Sequence, residues 1–252
     1  FFKQKLEYMK NAKVLIIGGG FAGCASAHFL SNDKYDVTLI EKAPFLGAGV
    51  RTFFKGGHPH TFGPRHFLTK KEWIYDFLNK HLPMRRCNEH QFVTYVEEDH
   101  NFYSYPIHED DIKLMPESDN INKELSSRKE INIKNSNNLE EYWINSVGKT
   151  LYKKFIDHYS KKMWIIEDNK LIDDFGWSPK GATLKKGPRE AWDVAISGYP
   201  IPLDGYNSYF DKSTKNANVL LNTMITKFDI PNKTVVFNNE KMKFDIIINT
   251  IS

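Results

Sequence analysis

Gly18, Gly20 and Gly23 form a G-x-G-x-x-G run, and an acid, Glu41, closes the apolar stretch that follows. The chemistry that these types and spacings allow is the binding of a dinucleotide. Gly18 permits a tight turn, Gly20 lets the backbone approach a pyrophosphate, and Gly23 lets a helix pack closely on a strand. Phe21 and Ala22 begin that helix, whose free N–H groups and dipole favour an anion at its N-terminus. Glu41 is placed to accept hydrogen bonds from a ribose, and its charge argues against a 2′-phosphate and so against NADP. Glycines at these positions also serve ordinary turns, which is the competing reading.

The elements needed to position these residues are present in the right order. Val14 to Ile17 is a continuous apolar run of the kind buried on both faces of a parallel sheet. Ala27 and Leu30 repeat at helical spacing, and Val37 to Ile40 reads as a second strand ending at Glu41. Beyond it, Lys42 to Thr69 is rich in glycine and turns. Lys42 adjoins the ribose-binding acid. Gly47 and Gly49, with Arg51, stand where flavoproteins of the two-dinucleotide type place a second Gly/Arg motif, which tilts the ligand from NAD toward FAD. The alternative for that stretch is a loop closed by a hairpin at Gly56-Gly57.

A chain of 252 residues can hold one large domain or two modest ones. Its 40% hydrophobic and 14% aromatic content excludes a disordered chain, and a net charge of +4 without dense Lys/Arg clusters excludes a nucleic-acid surface. Two cysteines, Cys24 and Cys87, are too few for a disulfide framework, which places the protein in a reducing compartment, the cytoplasm. No apolar run approaches the roughly 18 residues of a membrane span, and the opening residues lack a signal-peptide core. Cys24, inside the glycine-rich helix, reads as packing. His58 and His60 have no cysteine or carboxylate at metal-ligand spacing, so no metal is expected. Met9 opens a natural start for such a domain, and the apolar strand just before Ser252 predicts that the chain continues beyond it.

Further along, Thr69 and Glu72 have capping-box spacing ahead of an apolar stripe of Trp73, Ile74, Phe77 and Leu78. Gln91 to Tyr105 reads as a β-hairpin. Met115 to Asn138 shows little period and reads as a lid, a connection or a surface loop. Asn138 and Glu141 cap a helix that breaks at Gly148 and resumes to about Lys162. Gly198 to Phe210 has turn chemistry followed by a helix. Asn218–Ile225, Lys233–Phe237 and Phe244–Ile248 read as strands completing the nucleotide-binding sheet.

The glycine motif with Glu41, then TFGPRHFLT (Thr61–Thr69), the helical stretch Asn138–Trp164 and GYPIPLDGY (Gly198–Tyr206) resemble, in this order, the UDP-galactopyranose mutases. The resemblance implies an α/β fold: a Rossmann-like FAD-binding domain with an inserted helical domain and a partial antiparallel β-sheet. Residues 11–85 would be the first part of the FAD domain and 86–180 the inserted substrate domain. Residues 181–215 would be a connection on the substrate side, and 216–252 the later FAD-domain strands. It further implies interconversion of UDP-galactopyranose and UDP-galactofuranose, or of a related UDP-hexose, with reduced FAD as nucleophile at the anomeric carbon. An external electron donor, a UDP-sugar substrate, a role in polysaccharide precursor synthesis and room for a homodimer come with it.

Carried over by position, Tyr159 matches the tyrosine that stacks on uracil, and Trp164 the tryptophan near the sugar and flavin. Arg189 corresponds to an arginine that holds the diphosphate, and Tyr206 falls among the substrate residues. Where the family has two histidines facing the flavin, this chain has Arg65 and Leu68, with His66 between them. Arg65 and His66 are therefore the candidates for those contacts. The same departure leaves open an amine-oxidase-like FAD oxidoreductase or a non-catalytic flavin-binding relative. Because the remaining family residues would lie beyond Ser252, this stretch alone is expected to be inactive.

Overall fold

A computed structural model of the chain describes residues 11–128, 136–174, 184–190 and 195–251. Its contacts divide the chain into two compact units, residues 1–87 with 194–252, and residues 88–193. In chain order the first unit opens with β1 (Lys13–Ile17), α1 (Phe21–Asn32), β2 (Asp36–Ile40), β3 (Phe53–Lys55), β4 (His58–His60), β5 (Phe67–Thr69), α2 (Glu72–His81) and β6 (Met84–Arg86). The second unit holds β7 (Val93–Val96), β8 (Asn101–Ser104), α3 (Ser118–Ser127), α4 (Leu139–Val147), α5 (Lys149–Tyr152) and α6 (His158–Trp164). The chain then returns to the first unit with β9 (Ile196–Pro200), α7 (Asn207–Ser213), β10 (Asn218–Leu220), β11 (Ile225–Asp229), β12 (Thr234–Phe237), β13 (Glu240–Lys243) and β14 (Ile246–Asn249).

A Rossmann-like α/β arrangement organises the first unit. Its parallel sheet has the order β10-β2-β1-β14, with Val14 beside Val37 on one side and Ile246 on the other. Alternate residues of β1 serve different cores, which is why the strand is apolar at consecutive positions. Val14 and Ile16 join Cys24 and Ala27 of α1, Tyr75 and Leu78 of α2, and Tyr209 and Phe210 of α7. Leu15 and Ile17 join Ile40, Val235, Phe237 and Phe244 on the opposite face.

Three local expectations change. Thr234–Phe237 does not complete the parallel sheet; it is the centre of a separate antiparallel sheet, β11-β12-β13, that covers it. Asn218–Ile225 is not one strand, because Asn222, at φ +50°, turns the chain between β10 and β11. Thr69 does not cap α2: its hydroxyl accepts from the Lys71 N–H, the helix begins at Glu72, and Trp73 faces solvent while Tyr75 and Leu78 are buried. The Gly56-Gly57 hairpin does form, joining β3 to β4 with both glycines at positive φ. A second antiparallel sheet, β5-β9-β6, places Ser197 and Gly198 between Phe67–Leu68 and Arg86. Residues 195–215, expected in a connection, lie with the first unit, and 184–190 with the second.

In the second unit, β7 and β8 form the expected hairpin. Asn138 Oδ1 accepts the Glu141 N–H at 2.9 Å, while Glu141 reaches back to the Asn137 N–H at 2.9 Å, so the two side chains satisfy the open end of α4. Gly148, at φ +87°, ends α4, and a Cβ there would collide with Glu124. Glu124, on α3, accepts the Thr150 N–H and hydroxyl, each at 2.9 Å, and so caps α5. Part of Met115–Asn138 is thus a helix with Ile121 buried, and residues 129–135 lie outside the described residues. A π-helical turn, Lys153–Asp157, joins α5 to α6. It aims Phe155 and Ile156 into a core with Trp143, Val147 and Leu151. Lys154 is buried with Asp99, and Glu117 lies 2.8 Å away. Burial alone pushes the Lys154 ammonium down, but the two carboxylates outweigh it and hold it above its usual range.

Asn138→Ala should cost about 1 kcal/mol and Asn138→Gly only a few tenths, read from urea denaturation followed by helix signal. Lys154→Ala should cost about 3 kcal/mol because it leaves the buried Asp99 without its cation, with only the Tyr103 hydroxyl donating to it, and Lys154 with Asp99 both made apolar should recover most of that.

Candidate cofactor site

A cleft of about 740 Å³ opens beyond the carboxyl ends of β1 and β2 in the first unit. This is where ligands bind in open parallel sheets. The turn after β1 sets its floor. Gly18 takes φ +102°, and its N–H donates to the Ile40 carbonyl at 2.9 Å. Thr250, after β14, donates its hydroxyl to the Ile17 carbonyl at 2.8 Å and closes the other side of the turn. A Cβ on Gly23 would lie 1.8 Å from the Gly18 carbonyl oxygen, so α1 can start this close to β1 only without a side chain there. A Cβ on Gly20 would meet nothing closer than Ala48, at 3.8 Å. The turn is therefore packed tightly at Gly18 and Gly23 and left open at Gly20.

Glu41 ties the site together. Its Oε2 accepts the Gly19 N–H at 2.7 Å and its Oε1 the Ala43 N–H at 2.8 Å. Each oxygen keeps a lone pair for a further donor. No side chain caps the N-terminus of α1, so its first N–H groups remain for an anion. Open backbone at Gly20, an uncapped helix and a fixed carboxylate at the end of β2 fit the pyrophosphate and ribose of a dinucleotide. Cys24 is fully buried, and burial with the Glu41 charge beside it pushes its thiol up to about 12, so it packs rather than reacts.

Of the residues expected to touch the cofactor, Gly18, Gly20, Glu41, Lys42 and Gly49 line the cleft. Phe21, Ala22, Gly23, Gly47 and Arg51 are not among its lining residues. The Phe21 ring packs about 5 Å from those of Tyr206, Tyr209 and Phe210. Ala22 is exposed on the first turn of α1. Gly47 gives its N–H to the Gly19 carbonyl at 2.8 Å, and a Cβ on it would strike Phe210. Arg51 lies 3.5 Å from Asp211. Its neighbour Thr52 is buried and clamped by Asn207. Thr223, Met224, Phe228 and Thr250 line the cleft without having been singled out. The polar pair Asn222-Thr223, breaking an apolar run, was their one sequence signal.

Arg65, His66 and Tyr206 cluster elsewhere in the first unit. The buried Tyr206 hydroxyl donates to the Arg65 carbonyl at 2.6 Å. Arg65 Nη2 donates to the Pro202 carbonyl at 2.7 Å. His66 Nε2 lies 2.7 Å from the buried Ser197 hydroxyl, and its ring stacks on Tyr199. Leu68 is partly exposed on β5.

The remaining expected substrate residues are in the second unit. Tyr159 and Trp164 are 58% and 40% exposed on α6, so neither closes the core. Arg189 pairs with the buried Asp111 at 2.7 Å and bonds Ser104. Burial acts to raise the Asp111 pKa, but the Ser104 N–H and the Arg189 guanidinium outweigh it and hold the carboxyl low. His58 and His60 are exposed on β4, and no group of three potential metal ligands occurs among the described residues. None of the described helices is long and apolar enough to cross a membrane.

Residues 16–81 match the NAD(P)-binding Rossmann-like domain family. The chain is 27% identical over 220 residues to dTDP-fucopyranose mutase of Escherichia coli, covering 82% of this chain and 55% of that protein. It is 26% identical over 172 residues to a Klebsiella pneumoniae protein named "Probable UDP-galactopyranose mutase", covering 65% of this chain and 44% of that one. Shorter matches, each over less than half of this chain, include polyamine and L-amino-acid oxidases. The crystal structure of reduced UDP-galactopyranose mutase superimposes with a TM-score of 0.73 at 18% identity, covering 95% of this chain and 55% of that one. The chain thus spans about half the length of the relatives it matches. With a glycine turn, an acid-ended second strand and similarity that runs on past the nucleotide-binding segment, the chain is a divergent relative of the UDP-galactopyranose mutase family.

Proposed function

We propose that the chain carries the cofactor-binding part of a flavin-dependent sugar-nucleotide mutase. Its reaction would contract a nucleoside-diphosphate hexopyranose to the furanose, UDP-galactopyranose or a related hexose being the substrate. The observation that carries this reading is the extent of the similarity. In sequence, dTDP-fucopyranose mutase matches over 220 residues, which takes in both units, whereas the polyamine and L-amino-acid oxidases match over less than half of the chain.

In this reading Gly20 and the N-terminus of α1 hold the FAD pyrophosphate, and Glu41 holds the adenosine ribose. Lys42 and Gly49 line the same cleft. Gly18 lines it as well, and Gly23 and Gly47 shape the turn through its packing, with Arg51 held beside Asp211. Bound reduced FAD supplies the nucleophile for the anomeric carbon, and an external donor supplies its electrons. The protein's own task is positioning. Tyr159 offers an exposed ring for base stacking and Trp164 an apolar surface for the sugar. Arg65, at one of the two positions where the resembled family has a histidine, and His66 beside it take the contacts near the flavin. Arg189 already pairs with Asp111, so its contribution to a diphosphate would be shared with that carboxylate.

The deciding experiment incubates the full-length, FAD-loaded, dithionite-reduced protein with UDP-galactose and dTDP-fucose and looks for furanose isomers. A furanose product supports the reading. Bound FAD with no product from either, together with bleaching of the oxidised flavin by an amine in a separate incubation without dithionite, points to the oxidase chemistry instead.

Variants separate binding from folding. Gly20→Ala should weaken FAD binding at least tenfold while shifting the melting temperature by no more than about 2 °C, since its Cβ enters open space. Gly23→Ala should behave oppositely, destabilising by about 1–3 kcal/mol or more through collision with the Gly18 carbonyl. Glu41→Gln should weaken FAD binding roughly tenfold, the loss of one charge-assisted hydrogen bond.

A further inference from the structure

Two arginines flank the turn at Gly205, and only one of them has a described carboxylate beside it. Arg51 lies 3.5 Å from the Asp211 carboxylate. Arg65 is half-buried, and among the described residues its guanidinium makes one hydrogen bond, to the Pro202 carbonyl. No described carboxylate pairs with it. A guanidinium has five N–H donors in a fixed fork, so most of this one's capacity is unspent. Removing such a charge from water without an anion is costly.

Its position is nonetheless held firmly. The Arg65 carbonyl takes the hydroxyl of buried Tyr206 at 2.6 Å, and the side chain is tethered at 2.7 Å. Burial pushes the Tyr206 phenol above its usual range, with the Arg65 charge working the other way. The arginine's field therefore reaches into this cluster.

A second, independent feature lies alongside. Thr52 is 4% exposed, and its hydroxyl has no hydrogen-bond partner among the described residues. Its main chain is fixed by Asn207, whose amide receives the Thr52 N–H and donates to the Thr52 carbonyl, both at 3.0 Å. Thr52 Oγ1 and Arg65 stand on the same side of Gly205. A Cβ built there would be 2.5 Å from the hydroxyl and 3.6 and 3.7 Å from Arg65 Nε and Nη2. Gly205 thus brings the hydroxyl and the guanidinium within about 6 Å of each other, a separation that neighbouring oxygens of one diphosphate can bridge.

We propose that Arg65, with Thr52 beside it across Gly205, is an anion site that binds a diphosphate group, separate from the glycine turn that serves the cofactor cleft. It deepens the mutase reading, because a diphosphate is what a sugar nucleotide carries. It also supplies a reason for an arginine where histidines occur in the family the chain resembles. The fork takes two phosphate oxygens and the threonine hydroxyl donates to a third or to a bridging water.

Calorimetric titration of the purified protein with inorganic pyrophosphate, UDP and FAD tests this. Arg65→Met should lower affinity for pyrophosphate and UDP at least tenfold at unchanged melting temperature. Arg65→Lys should restore part of it, a point charge without the fork, and Thr52→Val should lower it severalfold. If FAD binding falls instead while UDP binding to the FAD-loaded protein holds, the diphosphate bound here is the cofactor's own. Unchanged affinity for all three ligands in well-folded Arg65→Met overturns the site. If Arg65→Met unfolds, Thr52→Val and Arg65→Lys decide by the same titrations. Because binding is read without turnover, absence of mutase activity leaves the outcome legible.

Discussion

The structure depends on one close approach, the start of α1 against the end of β1. With 1.8 Å between the Gly18 carbonyl oxygen and the place of a Cβ on Gly23, no other residue fits without moving backbone. That approach points the N-terminus of α1 at the end of the parallel sheet and leaves its first N–H groups uncapped. Glu41 then binds the Gly19 and Ala43 N–H groups, and Gly47 binds the Gly19 carbonyl. Three separate chain segments are thereby locked around one turn. An exposed, preorganised set of donors beside a fixed acid is what a dinucleotide requires, and its rigidity comes from packing on the far side of the turn.

Much of this was legible because the physics is local. The glycine spacing, the apolar run of β1 and the acid at the end of β2 each follow from neighbours in sequence. The Asn138–Glu141 cap and the break at Gly148 are equally local and appear as expected. Features that depend on distant partners were not legible. Thr234–Phe237 has the composition of a central sheet strand, but its neighbours are β11 and β13, and it covers the parallel sheet instead of joining it. The α2 stripe includes Trp73 by spacing, yet burial is decided by where β6, β9 and α7 lie, and these choose Tyr75 and Leu78.

The same division holds at the site. Gly18, Gly20 and Glu41 could be placed from their spacing alone. Gly47 and Arg51 resemble cofactor contacts by motif, but each is spent on the protein: Gly47 on Phe210 and Gly19, Arg51 on Asp211. Thr223, Met224 and Phe228 reach the cleft because the chain turns at Asn222 from β10 of the parallel sheet into β11 of the antiparallel one. Arg189, attractive as a free phosphate ligand in the sequence, is committed to Asp111.

The proposed function rests on the glycine turn and Glu41 holding FAD. A crystal structure of the protein grown with FAD tests it most directly. The account predicts the pyrophosphate at the Gly20 backbone and the N-terminus of α1, with the adenosine ribose hydroxyls at about 2.6–3.0 Å from the Glu41 carboxylate. FAD bound away from this turn, or bound here with Glu41 more than about 4 Å from either hydroxyl, would contradict it.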